Sequence, residues 1–200
     1  KTGVSHLSCY ALSVEPGTPL ANDILKGKTE TPPADSDAAW FRLTHESLAN
    51  LGFEGYEVSN FAPTPELRSQ HNLAYWSHKP YLGVGPGAHS FDGQIRSWNF
   101  PNLHAWLEPW TPAPPGDSEV LTQEDRVLEA LMLGFRTKDG VSTRHLEQLF
   151  SPHPIPTDYL DNAEELEREG LITITSSHWE PTLNGLALAD ALPLRVLESE

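Results

Sequence analysis

Two neighbouring stretches of this sequence hold residue types that could do chemistry. His71-Asn72-Leu73-Ala74-Tyr75-Trp76 sets an imidazole ahead of two adjacent aromatic side chains. An imidazole nitrogen can ligate haem iron or another metal. Tyr75 and Trp76 could supply a flat wall for a planar ligand. A few residues on, YLGVGPGAHS places Gly83, Gly85 and Gly87 where the backbone can approach a ligand closely or turn sharply after a strand. This is no dinucleotide fingerprint, because the third glycine comes too early and Pro86 interrupts the turn. It is no P-loop either, since no Gly-Lys-Ser/Thr follows. Taken singly, each stretch has a plainer account, a tight strand-to-loop turn and an aromatic core corner. The functional centre is nevertheless expected between His71 and Ser90.

Other chemistry is harder to find. Nine histidines are scattered through the chain, yet none forms an HExxH or a Cys/His cluster, so no zinc site is visible. The single cysteine, Cys9, has no partner motif and reads as a buried, inert thiol. No GxSxG is present. Glu57 and Asp92 are the acids nearest the candidate centre, and spacing assigns them nothing. No catalytic residue is therefore named.

The elements that must position these residues begin with Val4–Leu12, a short apolar run read as a buried strand that ends at the turn signal Glu15–Pro19. Helical spacing over Asp35–Leu51 predicts a helix, with Gly52 as its stop. Tyr56–Phe61 looks like a second strand, and Leu82–Val84 like a third before the glycines. Strand, helix, strand favours a parallel α/β layer. Pro101–Pro115 reads as irregular. From there the pattern changes. Thr122 and Asp125 form a near capping box ahead of an apolar stripe, Val127, Leu128, Leu131, Met132 and Phe135. Ser142 caps a second helix with Leu146, Leu149 and Phe150 inward. Thr157 caps a third that stops at Gly170. Leu171–Thr175 and His178–Leu183 form a hairpin, and Asn184–Val196 reads as one last helix. Three helices followed by a hairpin is the order of a winged-helix domain.

Composition bounds the rest. Two hundred residues suffice for one large or two small domains with real cores. Many of the 18 prolines fall in two runs, around Thr31–Pro33 and Pro109–Pro115, which read as linkers. The net charge of −15 argues against nucleic-acid binding. So does the third helix of the winged-helix segment, with six acids against one base in DYLDNAEELEREG. No apolar run is long enough to span a bilayer and no signal-peptide pattern opens the chain. One cysteine suits a reducing, cytoplasmic setting. The chain opens at Lys1 on an apolar segment, as a piece of a longer protein would.

The succession HLSCYALSVEPGTPL, GFEGYEVSNFA, HNLAYW, YLGVGPGAHSF and LMLGFRTKDGV resembles the C-terminal part of the radical-SAM coproporphyrinogen III oxidase-like family, in its HemW group of haem chaperones. The resemblance implies an α/β fold. Residues 1–116 would be the C-terminal portion of a partial (β/α) barrel, and residues 117–200 a small winged-helix-like α+β domain. It implies S-adenosylmethionine, a [4Fe-4S] cluster and haem as cofactors. Cluster ligands in this superfamily form a CxxxCxxC motif, which this chain lacks, and Cys9 stands at the wrong place. A whole barrel takes about 250 residues, so most cofactor contacts would lie outside this chain.

Position by position, the resemblance puts Ala11 and His89 against S-adenosylmethionine, with Gly85 and Gly87 shaping that side. It makes His71 the axial ligand of haem iron, flanked by Tyr75 and Trp76. The implied function is haem binding and delivery to acceptor proteins, with peripheral membrane contact left open. The alternative is oxygen-independent oxidation of coproporphyrinogen III, whose enzymes lack the HNxxYW motif. A purely structural half-barrel with an interaction domain is the third reading. An open piece of barrel exposes sheet edges and apolar surface, so the isolated chain is expected to be poorly soluble.

Overall fold

A computed structural model describes residues 3–30, 36–110 and 116–198. The chain divides into two compact units, Lys1–Arg68 and Ser69–Glu200. The proline run at 31–34, and residues 111–115 of the second one, lie outside the described residues.

The first unit holds strand β1 (Leu7–Ser8), helices α1 (Pro19–Leu25) and α2 (Ser36–Asn50), and strands β2 (Glu54–Gly55) and β3 (Asn60–Ala62). Helix α2 ends as its spacing predicts, with Gly52 in the left-handed region at φ 84°. The strands differ from expectation. Tyr56–Phe61 is not one straight strand. The Tyr56 amide donates to the Asn60 carbonyl at 3.1 Å, closing a hairpin between β2 and β3. The Glu57 carboxylate accepts the Ser59 amide inside that turn at 3.2 Å. The local turn reverses the chain, and the sheet, ordered β1-β3-β2, is antiparallel rather than parallel. Only Leu7–Ser8 of the first apolar run is strand, and Tyr10 and Leu12 are about three-quarters exposed, at 73% and 70%. Around Phe61 two polar pairs form, while the buried Nε2 of His45, whose ring packs on Phe61, has no hydrogen-bond partner among the described residues. Ser8 Oγ donates to Asn60 Oδ1 at 2.5 Å, and His6 Nε2 lies 2.8 Å from the Tyr56 hydroxyl.

The second unit opens with helix α3 (Gln70–Trp76), then a three-stranded antiparallel sheet of β4 (His89–Phe91), β5 (Ile95–Asn99) and β6 (Gly116–Val120), with α4 (Leu103–Leu107) between the last two. Leu82–Val84, expected as a strand, is not one. Only Tyr81 pairs, in an isolated bridge to Phe91, while Leu82 and Val84 point to solvent. The Pro101–Leu107 stretch is not irregular throughout, because Asn102 caps α4 by accepting the Ala105 amide at 3.0 Å.

Beyond β6 the winged-helix order holds. Helices α5 (Gln123–Gly134), α6 (Thr143–Phe150) and α7 (Thr157–Arg168) precede the hairpin of β8 (Ile172–Ile174) and β9 (His178–Pro181), which the short β7 (Val141–Ser142) joins. The capping box forms: the Thr122 hydroxyl accepts the Asp125 amide at 3.1 Å, and Asp125 Oδ2 accepts the Thr122 amide at 2.9 Å. Ser142 caps α6. Thr157 is not a cap; Pro156 occupies that position and Thr157 begins the helix. The last helix is also broken, into α8 (Leu183–Leu186) and α9 (Leu192–Leu197), because Pro193 is tolerated only in a first turn. Leu131, Phe135, Leu146, Leu166, Trp179 and Leu192 form the centre of this core. Each such side chain contributes roughly 1.5–3 kcal/mol on burial. The acids of α7 are all exposed, so that helix shows an anionic face.

Candidate functional site

Helix α3 carries HNLAYW. Its start is fixed by Ser69, whose hydroxyl accepts the Asn72 amide at 3.3 Å. His71 and Tyr75 are one turn apart, so they share a face, and both are exposed. Their rings meet edge to face, with centroids 4.9 Å apart at 83°. Tyr75 in turn meets Tyr81 edge to face, 4.7 Å away at 68°. Tyr81 is pinned by both main-chain hydrogen bonds of its bridge to Phe91, at 2.8 and 2.9 Å.

Trp76 is not part of this row. It lies with Leu73 along a cavity of about 300 Å³, whose lining also includes His78, Val141 and His145. Trp76 Nε1 and His145 Nε2 are buried there with no hydrogen-bond partner among the described residues. Burial, and then the neighbouring His78, push the His145 pKa below the ordinary imidazole value. The sequence reading placed Tyr75 and Trp76 together beside His71; the helix brings only Tyr75 to it.

The end of α3 is unusual. The Lys79 amide reaches back to the Ala74 carbonyl at 3.2 Å, a wrap that needs a left-handed residue, and His78 supplies it at φ 51°. Its ring stacks on Phe91 at 4.6 Å and 7°, and Nε2 lies 2.9 Å from Glu129 Oε2 on α5. The other carboxylate oxygen of Glu129 accepts from the Arg96 guanidinium on β5. That carboxylate raises the Arg96 pKa. A clasp of His78, Glu129 and Arg96 thus ties α3 to the helical core.

The glycines form a second cluster. A Cβ at Gly83 would overlap the carbonyl of His89, so only glycine allows that approach. The Gly83 amide donates to Ser90 Oγ at 2.9 Å. Gly85 and Gly87 take φ values of 110° and 70°, and the Gly85 carbonyl accepts from Asn99 Nδ2 at 2.9 Å. His89 is exposed and lies over Trp98, with centroids 6.0 Å apart. Ala11 is exposed and belongs to the first unit.

The two acids left unassigned have local work. Asp92 closes the β4–β5 turn by accepting the Gln94 and Ile95 amides at 2.9 and 2.7 Å, which holds its carboxyl below the usual range. Glu57 is buried, and desolvation pushes its carboxyl up. Cys9 is half-buried and stands beside no second thiol in the sequence. A cluster needing three thiolates does not fit this chain. Among the described residues no group of three His, Cys, Asp or Glu is placed to hold a metal ion. An exposed imidazole such as His71 does suit an axial bond to haem iron, which takes one protein ligand on a face. Tyr81, His78, Glu129 and Arg96 are the residues that sequence reasoning missed. Tyr81 alone had a signal, as the first letter of the glycine segment.

A family model described as the HemN C-terminal domain matches residues 121–188. The chain is 32% identical over 194 residues to the heme chaperone HemW of Mycobacterium tuberculosis, covering 96% of this chain and 47% of that protein. It is 36% identical over 151 residues to the heme chaperone HemW of Synechocystis, covering 72% and 36%. It is 33% identical over 205 residues to the mouse mitochondrial radical S-adenosyl methionine domain-containing protein 1, covering 96% and 46%. The chain spans less than half the length of these relatives. Among solved structures it resembles coproporphyrinogen III oxidase (HemN) of Escherichia coli, a radical SAM enzyme, with TM-score 0.57 and 15% identity over 82% of this chain and 42% of that one. That likeness shows the fold alone, mixed α/β as in the C-terminal portion of a radical-SAM protein. Motifs and relatives agree: over nearly its whole length the chain is similar to heme chaperones HemW, and residues 121–188 match the HemN C-terminal domain.

Proposed function

We propose that this chain is the haem-holding part of a haem chaperone that delivers haem to acceptor proteins. The observation that carries this is the pairing of His71 and Tyr75 on one exposed face of α3. His71 is the axial ligand, and Tyr75 packs beside the iron-bound imidazole. A haem held on an exposed face at one helix can be handed on, whereas an enclosed one cannot leave without opening the fold. Titrating haem into the chain and into His71→Ala tests the assignment by Soret absorbance. Loss of the Soret shift in the variant supports it, and an unchanged titration refutes it.

The cofactor side rests on resemblance. S-adenosylmethionine would meet Gly85, Gly87 and His89 of the second unit through backbone rather than side-chain contacts. The bare backbone at Gly83–Gly87 suits such an approach. The [4Fe-4S] cluster would be held by cysteines outside this chain. Residues 1–116 and 117–200 would be barrel and winged-helix portions, with the acidic α7 facing protein partners rather than nucleic acid. A cytoplasmic setting, with peripheral membrane contact left open, suits a carrier that must reach its acceptors. No helix among the described residues is long and apolar enough to cross a membrane.

A further inference from the structure

The face that bears His71 contains an aromatic that the motif itself does not include. His71, Tyr75 and Tyr81 form a row in which each ring meets the next edge to face, at 4.9 and 4.7 Å. Edge-to-face pairs fix the relative tilt of two rings, because the positive rim of one seeks the negative face of the other. An exposed helical His has no other restraint of this kind. Tyr75 cannot provide it alone, being itself 40% exposed on a short helix. Tyr81 can, because its backbone is fastened on both sides to Phe91, which is buried and covered by the His78 ring. The row is therefore anchored at one end and free at the other, where His71 stands.

We propose that Tyr81 is a positioning residue of the haem site: through Tyr75 it sets the plane of the His71 imidazole. This rests on the reading of His71 as axial ligand. Tyr81 touches no haem atom in this account. Its effect is on ligand orientation and on how long haem is retained.

The test uses the whole chain loaded with ferric haem, comparing wild type with Tyr81→Leu and Tyr81→Phe. Low-temperature electron paramagnetic resonance reads the imidazole plane through the g-value anisotropy, and transfer to apomyoglobin reads haem loss. Tyr81→Leu is expected to broaden or shift the g values and to speed haem loss by roughly two- to tenfold, the worth of one aromatic pair. Tyr81→Phe keeps the ring and is expected to match wild type in both. Should Tyr81→Leu fail to fold, Tyr81→Met, which keeps the apolar volume, gives the same comparison. Unchanged g values and haem loss in a folded Tyr81→Leu or Tyr81→Met overturn the proposal, as does a Tyr81→Phe that behaves like Tyr81→Leu. His71→Ala is the separate control. If it leaves the haem spectrum intact, the axial-ligand reading fails, and that outcome is distinct from a Tyr81 failure, in which His71→Ala still abolishes binding.

Discussion

Replacing His78 by alanine and by glycine should give two different stabilities, in an order opposite to side-chain size. Both variants lose the stack on Phe91, worth about 0.5–1.5 kcal/mol, and the contact with Glu129. A hydrogen bond to a charged group is worth about 1.5–3 kcal/mol. The lower end applies here, since Glu129 keeps Arg96 as a partner. The alanine variant should therefore lose about 2–3 kcal/mol. Glycine loses the same contacts but no longer holds a Cβ at φ 51°. Relief of that left-handed strain returns roughly 1 kcal/mol. Urea unfolding followed by tryptophan fluorescence reads the difference. Alanine as stable as glycine would refute the strain argument, and wild-type stability in both would refute the clasp.

Other consequences can be checked with the same protein. Burial lowers the pKa values of His145 and His45 from the ordinary 6.5, so the unfolded chain binds more protons below that pH and stability should fall as pH drops through and below about 6.5. Urea midpoints at several pH values test this, and His145→Gln should flatten the curve. Glu57 works in the opposite sense. Its raised pKa makes the folded chain hold the proton longer, so stability should fall as pH rises above 4.5, and Glu57→Gln should remove that slope. Gly83→Ala should cost about 1–3 kcal/mol by overpacking against the His89 carbonyl, read in the same unfolding assay. The isolated chain should self-associate through exposed apolar side chains such as Tyr10, Leu12, Leu25 and Trp40. Sedimentation of a clean monomer at high concentration would contradict that.

The legible parts of the fold were those specified locally. The Thr122–Asp125 box, the apolar stripe of α5 and the β8–β9 hairpin are set by neighbours in sequence, so periodicity and capping residues reveal them. The β4–β5–β6 sheet is hard to see in the sequence because its strands do not alternate; β6 is GDSEV and wholly exposed, and its pairing reaches back across 17 to 25 residues. The antiparallel first sheet was hidden for a similar reason, since a Glu57 side chain bends what looks like a straight apolar strand. At the candidate site, HNLAYW singles out His71 as a possible ligand, but the sequence did not say which faces of α3 its aromatics would take. Tyr75 follows His71 by four residues and joins it; Trp76 follows by five and turns to the cavity. The His78–Glu129 contact spans 51 residues, and no local pattern foretells it.

On the proposed function, His71 would bind haem iron. The direct measurement is a haem titration of the chain and of His71→Ala, with the Soret band and the ferric resonance spectrum recorded together. A saturating Soret shift with a histidine-ligated spectrum in wild type, lost in the variant, is the expected result. The same spectrum and affinity in both proteins would contradict the account.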